Sequence, residues 1–234
     1  MEQAYAVLTG DLIASSKASP LRLATTMANL AETGQILTKL TGSDPRFTRF
    51  RGDGWQMLIA DPGKYLLAVA LILARLRATP ETLATRIAIG VGTVNNPGTT
   101  DLSDARGAAF IFSGQALDGL KRDRNMVIAS APGDPVGLLG INAKRPGMLG
   151  NVELFDGVIL DMFSFIAGRW TAAQAQAVAM ALENHEETQA AIAARLGITR
   201  QALNLRLTGA GYGPTLSAIR LTDAIANMPN PTGE

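Results

Sequence analysis

The chain of 234 residues has a formal net charge of +1, and 47% of its residues are hydrophobic. Such a composition supports a sizeable core, argues against global disorder and indicates no particular charged partner. The sequence contains no cysteine, which excludes disulfides and thiolate metal sites. Together with an N-terminus that lacks a signal-like segment, this favours a reducing, cytoplasmic location. The longest apolar run, residues 65–74, is about half the length of a bilayer span, so no membrane insertion is expected.

The first elements in chain order are a short buried strand at residues 4–9, with a turn at Gly10, and then a helix. Ser19 and Pro20 are typical of a helix start, because proline at the first helical position loses no useful donor. Gly42 is predicted to end this helix.

A hairpin follows the first helix. The strand-like runs RFTRFR and WQMLIA flank Gly52 and Asp53, a two-residue turn typical of a hairpin. In the second run Trp55, Met57 and Ile59 alternate along one face, as a half-buried strand requires.

The rest of the first 130 residues continues the alternation of helices and strands. Residues 61–77 predict a helix, residues 85–94 a strand, residues 103–120 a third helix and residues 125–130 a further strand. In the strand TRIAIGVGTV, small residues share one side, which indicates the close approach of another backbone or a ligand. This order predicts an α/β (α+β) fold with a mixed sheet and packed helices, not a doubly wound parallel sheet.

Three parts are predicted along the chain. Residues 1–130 form the α/β domain, and residues 131–169 form a proline- and glycine-rich linker with a connecting helix. Residues 170–234 turn alanine-rich and are predicted to form an all-α domain.

The stretch TQAAIAARLGITRQALNLRL, residues 188–207, is the most specific motif of the chain. Its small and branched apolar residues, with Gly197 at the turn and Thr199 as the cap of a second helix, meet the steric needs of a helix-turn-helix. It resembles the helix-turn-helix of many bacterial transcription regulators. The all-α domain is therefore predicted to bind DNA, as a homodimer because operators are usually two-fold symmetric.

The second helix of this motif is predicted to expose side chains that suit base edges and phosphates. Between residues 188 and 220 there are four arginines and no acidic residue. This local excess of positive charge suits a phosphate backbone. The candidate DNA-binding residues are Thr199, Arg200, Gln201, Asn204 and Arg206. An ordinary helical hairpin used for packing or dimerisation would satisfy the same apolar pattern, and this alternative stays open.

Two glycine-flanked aspartates form a second candidate site. Asp11 follows the first strand, and Asp53 lies at the tip of a hairpin expected to pair beside it. Two carboxylates brought together repel each other unless a cation lies between them. Because magnesium favours one or two carboxylates completed by phosphate and water, the pair predicts a site for Mg²⁺ (or Mn²⁺) and a phosphorylated nucleotide. Alternatively, each aspartate is only a turn residue that bonds its own backbone.

The backbone amides that follow Asp11 are predicted to cradle an anion. The two serines of this segment have no base partner in the sequence, so they are expected to be donors and not nucleophiles. The candidate phosphate- and nucleotide-binding residues are Leu12, Ile13, Ala14, Ser15, Ser16, Gly52 and Gly54.

Four segments, taken in order, carry a resemblance to known proteins: LTGDLIASS, FRGDGWQMLIADP, TRIAIGVGTV and GAAFIFSGQAL. Together they resemble the SatD family, commonly joined to a C-terminal helix-turn-helix, and more distantly the catalytic palm of class III nucleotidyl cyclases and GGDEF domains. The cyclase resemblance implies a ferredoxin-like mixed sheet. It also implies that Asp11 and Asp53 bind two metals and a triphosphate, with Leu12 to Ser16 as the phosphate loop.

The sequence also departs from the cyclase pattern. Cyclases place an asparagine and an arginine on the helix after the glycine-rich strand, and here Ile111 and Gly114 or Gln115 fall near those positions. Because losing such charge stabilisation costs orders of magnitude in rate, the sequence favours nucleotide binding over catalysis. The candidates to replace the missing cation are Arg106, Lys121 and Arg122.

Three hypotheses of function follow. The first is a DNA-binding transcription regulator whose N-terminal domain binds a nucleotide, a nucleoside triphosphate or a relative, with Mg²⁺. The second is an active nucleotidyl cyclase or other phosphoryl-transfer enzyme with a helical tail for dimerisation or localisation. The third is a dimerisation scaffold whose site has decayed.

Overall fold

A computed structural model describes residues 3–50, 52–99, 101–121, 125–130 and 152–226, without the side chains of residues 152–156 and 225. The predicted linker at residues 131–150 and the candidate Arg122 lie outside the described residues.

The described residues form six strands and eight α-helices. The strands are β1 (Ala4–Leu12), β2 (Phe47–Phe50), β3 (Gly54–Ile59), β4 (Thr85–Asn96), β5 (Arg106–Gly107) and β6 (Met126–Ser130). The helices are α1 (Pro20–Thr41), α2 (Tyr65–Ala78), α3 (Ala108–Gly119), α4 (Val152–Ala167), α5 (Ala172–Glu183), α6 (Gln189–Arg195), α7 (Arg200–Gly209) and α8 (Tyr212–Ala226). Within the described ranges, each helix is too short or too polar to cross a bilayer.

The six strands form one mixed sheet. Its order is β2-β3-β1-β4-β5, and β6 pairs with β4 beyond this path. All pairs are antiparallel except β4 with β6, which is parallel. The predicted α+β class, a mixed sheet with packed helices followed by an all-helical part, is confirmed.

The predicted turn at Gly10 is wrong, because β1 continues to Leu12. Gly10 pairs with Trp55 on one side and with Ile87 on the other. A Cβ at Gly10 would lie 2.4 Å from the indole ring of Trp55 and 2.6 Å from the carbonyl oxygen of Arg86. The glycine is therefore needed for close packing of a buried tryptophan and not for a reversal of the chain.

The helix start and the hairpin follow the sequence pattern. The Ser19 side chain accepts a hydrogen bond from the Arg22 amide at the start of α1, and Gly42 ends the helix in the left-handed region. Trp55, Met57 and Ile59 of β3 are buried. They belong to the same core as the buried residues of α1 and α2, so these two helices cover one face of the sheet.

Helix α3 covers the other face and touches the sheet through its backbone. A Cβ at Gly90 would lie 2.1 Å from the carbonyl oxygen of Ala109 and 2.4 Å from the amide nitrogen of Ser113. The small residues on one side of β4 therefore admit another backbone, one of the two alternatives that the sequence left open.

The C-terminal helices pack against α2 and share its core. Arg75 of α2 forms an ion pair with Glu183 at the end of α5, with 2.7 Å between nitrogen and oxygen. The Arg77 guanidinium donates to the carbonyl oxygen of Trp170, at 2.9 Å. Near the start of α2, Lys64 pairs with Asp223 of α8 at 2.6 Å. Polar contacts at both ends of α2 therefore fix the helical part onto the first 130 residues.

The close contact at Gly90 predicts that a methyl group added at this position strongly reduces the stability of the protein. Gly90→Ala should lower the free energy of unfolding by about 2–3 kcal/mol, because the α3 backbone has to move away from the sheet. Urea denaturation followed by circular dichroism measures this change.

Gly114→Ala is the matched control, because a Cβ there meets no atom within 4 Å and the residue lies inside α3. It should raise the free energy of unfolding by about 0.5–1 kcal/mol through helix propensity. Equal effects of the two substitutions would contradict the role assigned to Gly90.

Candidate functional site

Asp11 lies in the middle of the sheet, near the end of its central strand. It pairs with Gly54 of β3 on one side and with Arg86 of β4 on the other. Its side chain is 28% exposed and that of Arg86 is 33% exposed. Solutes therefore have access to this end of the sheet, although the backbone around it is held by two strands.

Arg86 neutralises Asp11 through two parallel hydrogen bonds. Its Nε donates to Oδ1 of Asp11 at 2.8 Å, and its Nη2 donates to Oδ2. Such a fork-to-fork pair is the strongest common contact between a guanidinium and a carboxylate. The hydrogen bond to Asp11 raises the pKa of Arg86, burial opposes that shift, and the charges of Asp11 and Asp53 add to it. The cation beside the two aspartates in this structure is therefore a side chain of the protein.

Sequence analysis missed Arg86, which is 75 residues from Asp11. The signal that could have found it is the alternation of β4, where Arg86 shares a side with Ala88 and Gly90. Only the antiparallel register between β1 and β4 places that arginine directly opposite Asp11.

Asp53 lies in the turn between β2 and β3, as predicted, and it is half-buried. The Ser15 hydroxyl donates a hydrogen bond to its Oδ2. Gly52 turns the chain with a φ of 80°, in the left-handed region. The backbone of Gly54 already belongs to β3, and a Cβ there would lie 2.9 Å from the carbonyl oxygen of Phe50. The structure thus ties the hairpin tip to the segment after β1 and assigns Gly54 a packing role.

The segment after Asp11 divides into two parts. Leu12 pairs with Thr85 in the sheet, and the Ile13 amide donates to the carbonyl oxygen of Ala84 at 2.8 Å. Ala14 then takes the left-handed conformation, with a φ of 58°, and a short 3₁₀ turn begins at Ser15.

Three consecutive amides of this segment form no hydrogen bond with any described residue: those of Ala14, Ser15 and Ser16. A left-handed residue followed by a helical turn is the backbone arrangement of an anion-binding nest. Of the five residues predicted as a phosphate loop, these three keep free donors, whereas Ile13 does not.

A cavity of about 360 Å³ lies beside the same segment. Ile13 lines it, together with apolar side chains such as Leu76, Leu83 and Met126 and the polar residues Thr82 and Asn125. Its other lining residues come mostly from α2, α4 and the loop before β4, and Asp11, Asp53 and Arg86 do not line it.

The donor set at this end of the sheet fits a hard divalent cation. Asp11, Asp53 and Ser15 offer oxygen atoms only, and magnesium uses one or two carboxylates with phosphate and water as its other ligands. In the described ranges, no group of three or more His, Cys, Asp or Glu side chains could hold a metal by itself. Asp11, Asp53 and Arg86 carry a summed charge of −1, so one carboxylate remains uncompensated. A divalent cation that binds Asp11 would have to displace Arg86 from its carboxylate.

At the positions that the cyclase resemblance singles out, helix α3 carries the apolar Ile111 and either Gly114 or the exposed, uncharged Gln115. Ile111 is 58% exposed, and a Cβ at Gly114 would meet no atom within 4 Å. The polar contact that α3 makes with the sheet is between the hydroxyls of Ser113 and Thr9, at 2.7 Å. Of the candidates to replace the missing cation, Arg106 lies on β5 and is exposed, and Lys121 follows α3 and is exposed.

The second candidate site is formed by α6 and α7. The side chains of Thr188 and Thr199 accept hydrogen bonds from the amides of Ala191 and Ala202, at 3.3 and 3.1 Å, and so cap both helices. Gly197 takes a φ of 65° in the turn between them.

The side of α7 turned away from the core carries mostly polar residues, together with Leu205, which is 66% exposed. Leu203 and Leu207 of α7 are buried. The predicted contact residues on the other side are Thr199, Arg200, Gln201 and Asn204, all exposed, and Arg206, half-buried. The structure therefore leaves four of the five predicted side chains exposed to solvent.

No known protein family matches the chain, and no curated protein matches it. Its likeness to the SatD family stays a resemblance of motifs. Two solved structures are similar to it. One is the guanylyl cyclase Cya2, 17% identical with a TM-score of 0.39, and the match covers 55% of this chain and 76% of that chain. The other is a bacterial light-regulated adenylyl cyclase, 16% identical with a TM-score of 0.38 and the same two coverages. At such scores the activity has to be argued from the residues themselves.

Proposed function

We propose that the chain binds a phosphorylated nucleotide together with a divalent cation at the end of the sheet formed by Asp11, Asp53 and the segment 12–16. The observation that carries the proposal is that Arg86, paired with Asp11, also feels the charge of Asp53, and that the Ser15 hydroxyl binds Asp53 beside the segment with three free amides. Carboxylates attract the metal, and the amides suit the phosphate that the metal brings.

The electrostatics of the site support binding of a metal and a phosphate together. Without a metal, the summed charge of Asp11, Asp53 and Arg86 is −1, which repels a phosphate. A divalent cation changes this sum to +1, so the phosphate is attracted only when the metal is present.

The nucleotide proposal predicts that a triphosphate with Mg²⁺ raises the melting temperature of the protein. A ligand at about 100 times its dissociation constant stabilises the folded state by about 2.7 kcal/mol, or about 5 °C for a chain of this size. Differential scanning fluorimetry with each of the four nucleoside triphosphates, and with inorganic triphosphate, measures the shift. A larger shift with one nucleotide than with inorganic triphosphate would report a contact with the base.

Asp53→Asn should abolish the shift, because it removes a metal ligand and leaves the Asp11–Arg86 pair intact. Asp101→Asn is the matched control, because Asp101 also accepts a hydrogen bond from a serine hydroxyl, that of Ser103, but lies on an exposed loop. The proposal is wrong if wild type and Asp53→Asn respond equally to all these ligands.

Phosphoryl transfer, as in a nucleotidyl cyclase, is the alternative use of the same site. The observation that favours it is Arg86, a cation beside the two aspartates that the resemblance did not include. Chromatography of each triphosphate after incubation with the protein and Mg²⁺ or Mn²⁺ separates the alternatives. A new product that disappears in Asp53→Asn supports an enzyme, and intact triphosphates support a binding role.

DNA binding by α7 is a second candidate function. Its support is the exposed polar side chains of α7, such as Arg200, Gln201 and Asn204, in a stretch of four arginines without acidic residues, from 188 to 220. Helix α7 has the position of a recognition helix, since it follows a capped turn after α6.

A double substitution tests this candidate. Arg200→Ala with Asn204→Ala should weaken binding to a pool of random duplexes at least about tenfold, because each base or phosphate contact is worth about 1–3 kcal/mol. Gel shifts at low salt measure the loss, and circular dichroism checks the fold. Arg22→Ala on α1 is the control for the loss of a positive charge elsewhere, and unchanged binding in the double variant would refute the assignment.

A further inference from the structure

We propose that Arg86 is an exchangeable cation of the proposed nucleotide site: it holds Asp11 while the site is empty and passes to the phosphate when a divalent metal takes Asp11. This inference rests on the proposed function and adds a residue and an order of events to it. Its basis is the two-bond pairing of one guanidinium with Asp11 at a solvent-accessible end of the sheet.

Arg86 and a metal compete for the same atoms, the two carboxylate oxygens of Asp11. Both oxygens of the Asp11 carboxylate accept hydrogen bonds from Arg86, so neither is free for a metal ligand bond without a rearrangement. A metal that binds alone therefore displaces a bidentate ion pair and leaves a guanidinium without its partner. Such a loss is costly for a group that is only one-third exposed.

Phosphate offers the displaced guanidinium an equivalent partner. A phosphate presents two oxygens in the same forked geometry as a carboxylate, and arginine binds both groups in this way. The Arg86 side chain starts beside Asp11, and the Ser15 hydroxyl on Asp53 marks the position of the segment with free amides. A phosphate bound by the metal at Asp11 would therefore stand beside the arginine side chain that the metal displaces.

The binding of the metal and the binding of the phosphate are expected to favour each other. Metal binding releases Arg86, and phosphate binding recaptures it, so each ligand lowers the cost of binding the other. The coupling is reciprocal by thermodynamic necessity. A structural ion pair that stays closed would leave only the coupling that the metal's own charge provides, and this coupling would not depend on Arg86.

The test uses the affinity of the full-length chain for Mn²⁺, measured by electron paramagnetic resonance of the free ion, with and without inorganic phosphate. In the wild type, phosphate should tighten Mn²⁺ binding severalfold. In Arg86→Gln, Mn²⁺ alone should bind about tenfold more tightly, since one neighbouring charge shifts an ionic equilibrium by about one pKa unit or more. Phosphate should then tighten Mn²⁺ binding less than in the wild type, because the metal's charge still attracts the phosphate but the guanidinium partner is gone.

Two further variants make the result specific to Arg86. Arg86→Lys keeps the charge without the fork, so Mn²⁺ alone should bind as in the wild type and the phosphate effect should shrink. Arg195→Gln removes another arginine that binds a carboxylate with two hydrogen bonds, that of Glu187. It should behave as the wild type. If Arg86→Gln does not fold, the wild-type phosphate effect and Arg86→Lys decide the outcome.

The outcomes separate this inference from the proposed function. Mn²⁺ binding that is equal in wild type and Arg86→Gln, or a phosphate effect that is as large in Arg86→Gln as in the wild type, overturns the exchange and leaves the metal site standing. Absence of Mn²⁺ binding in the wild type and in both Arg86 variants overturns the site and the exchange together.

Discussion

The register of the central strand determines the arrangement of the candidate nucleotide site. Strand β1 pairs on both sides, so Asp11 faces Gly54 across one ladder and Arg86 across the other. A shift of one residue would turn Asp11 to the opposite face of the sheet and separate it from its arginine. The tryptophan against Gly10 resists such a shift, because no side chain fits at that glycine. Packing in the core thus positions Asp11 and Arg86 opposite each other near the end of the central strand.

The elements that the sequence predicted correctly are those with local causes. The serine–proline start of α1, the glycine at its end and the alternation of Trp55, Met57 and Ile59 each follow from the residues themselves. The turn assigned to Gly10 was wrong because a glycine has two uses, a reversal of the chain or close packing, and only the position of a distant tryptophan distinguishes them. Arg86 was missed for a related reason, since the pairing of β1 with β4 joins residues that are 75 positions apart. Two aspartates near each other could be predicted from motif order, but the identity of their counter-charge could not.

The helical part of the chain and the sheet share one continuous core. Buried side chains of α2, α5 and α7 belong to the same cluster as those of β1 and β3. Arg75 of α2 forms ion pairs with Glu183 of α5 and with Glu32 of α1, and so links α2 to a helix of each part. Helix α7 is therefore held by the same packing that holds the candidate nucleotide site, and its exposed face has a defined orientation relative to the sheet.

The contact of α8 with the turn before α2 has a further consequence for how such a chain can be divided. A Cβ at Gly63 would lie 2.7 Å from that of Ala226, so the last described turn of α8 closes directly over the end of the hairpin strand. A fragment that ended before α5 would expose the apolar side of α2 to water, and a fragment that began there would lose the surface on which it folds. The helical part is thus not a transferable module: recombination that joined it to another protein would have to carry α2 along with it.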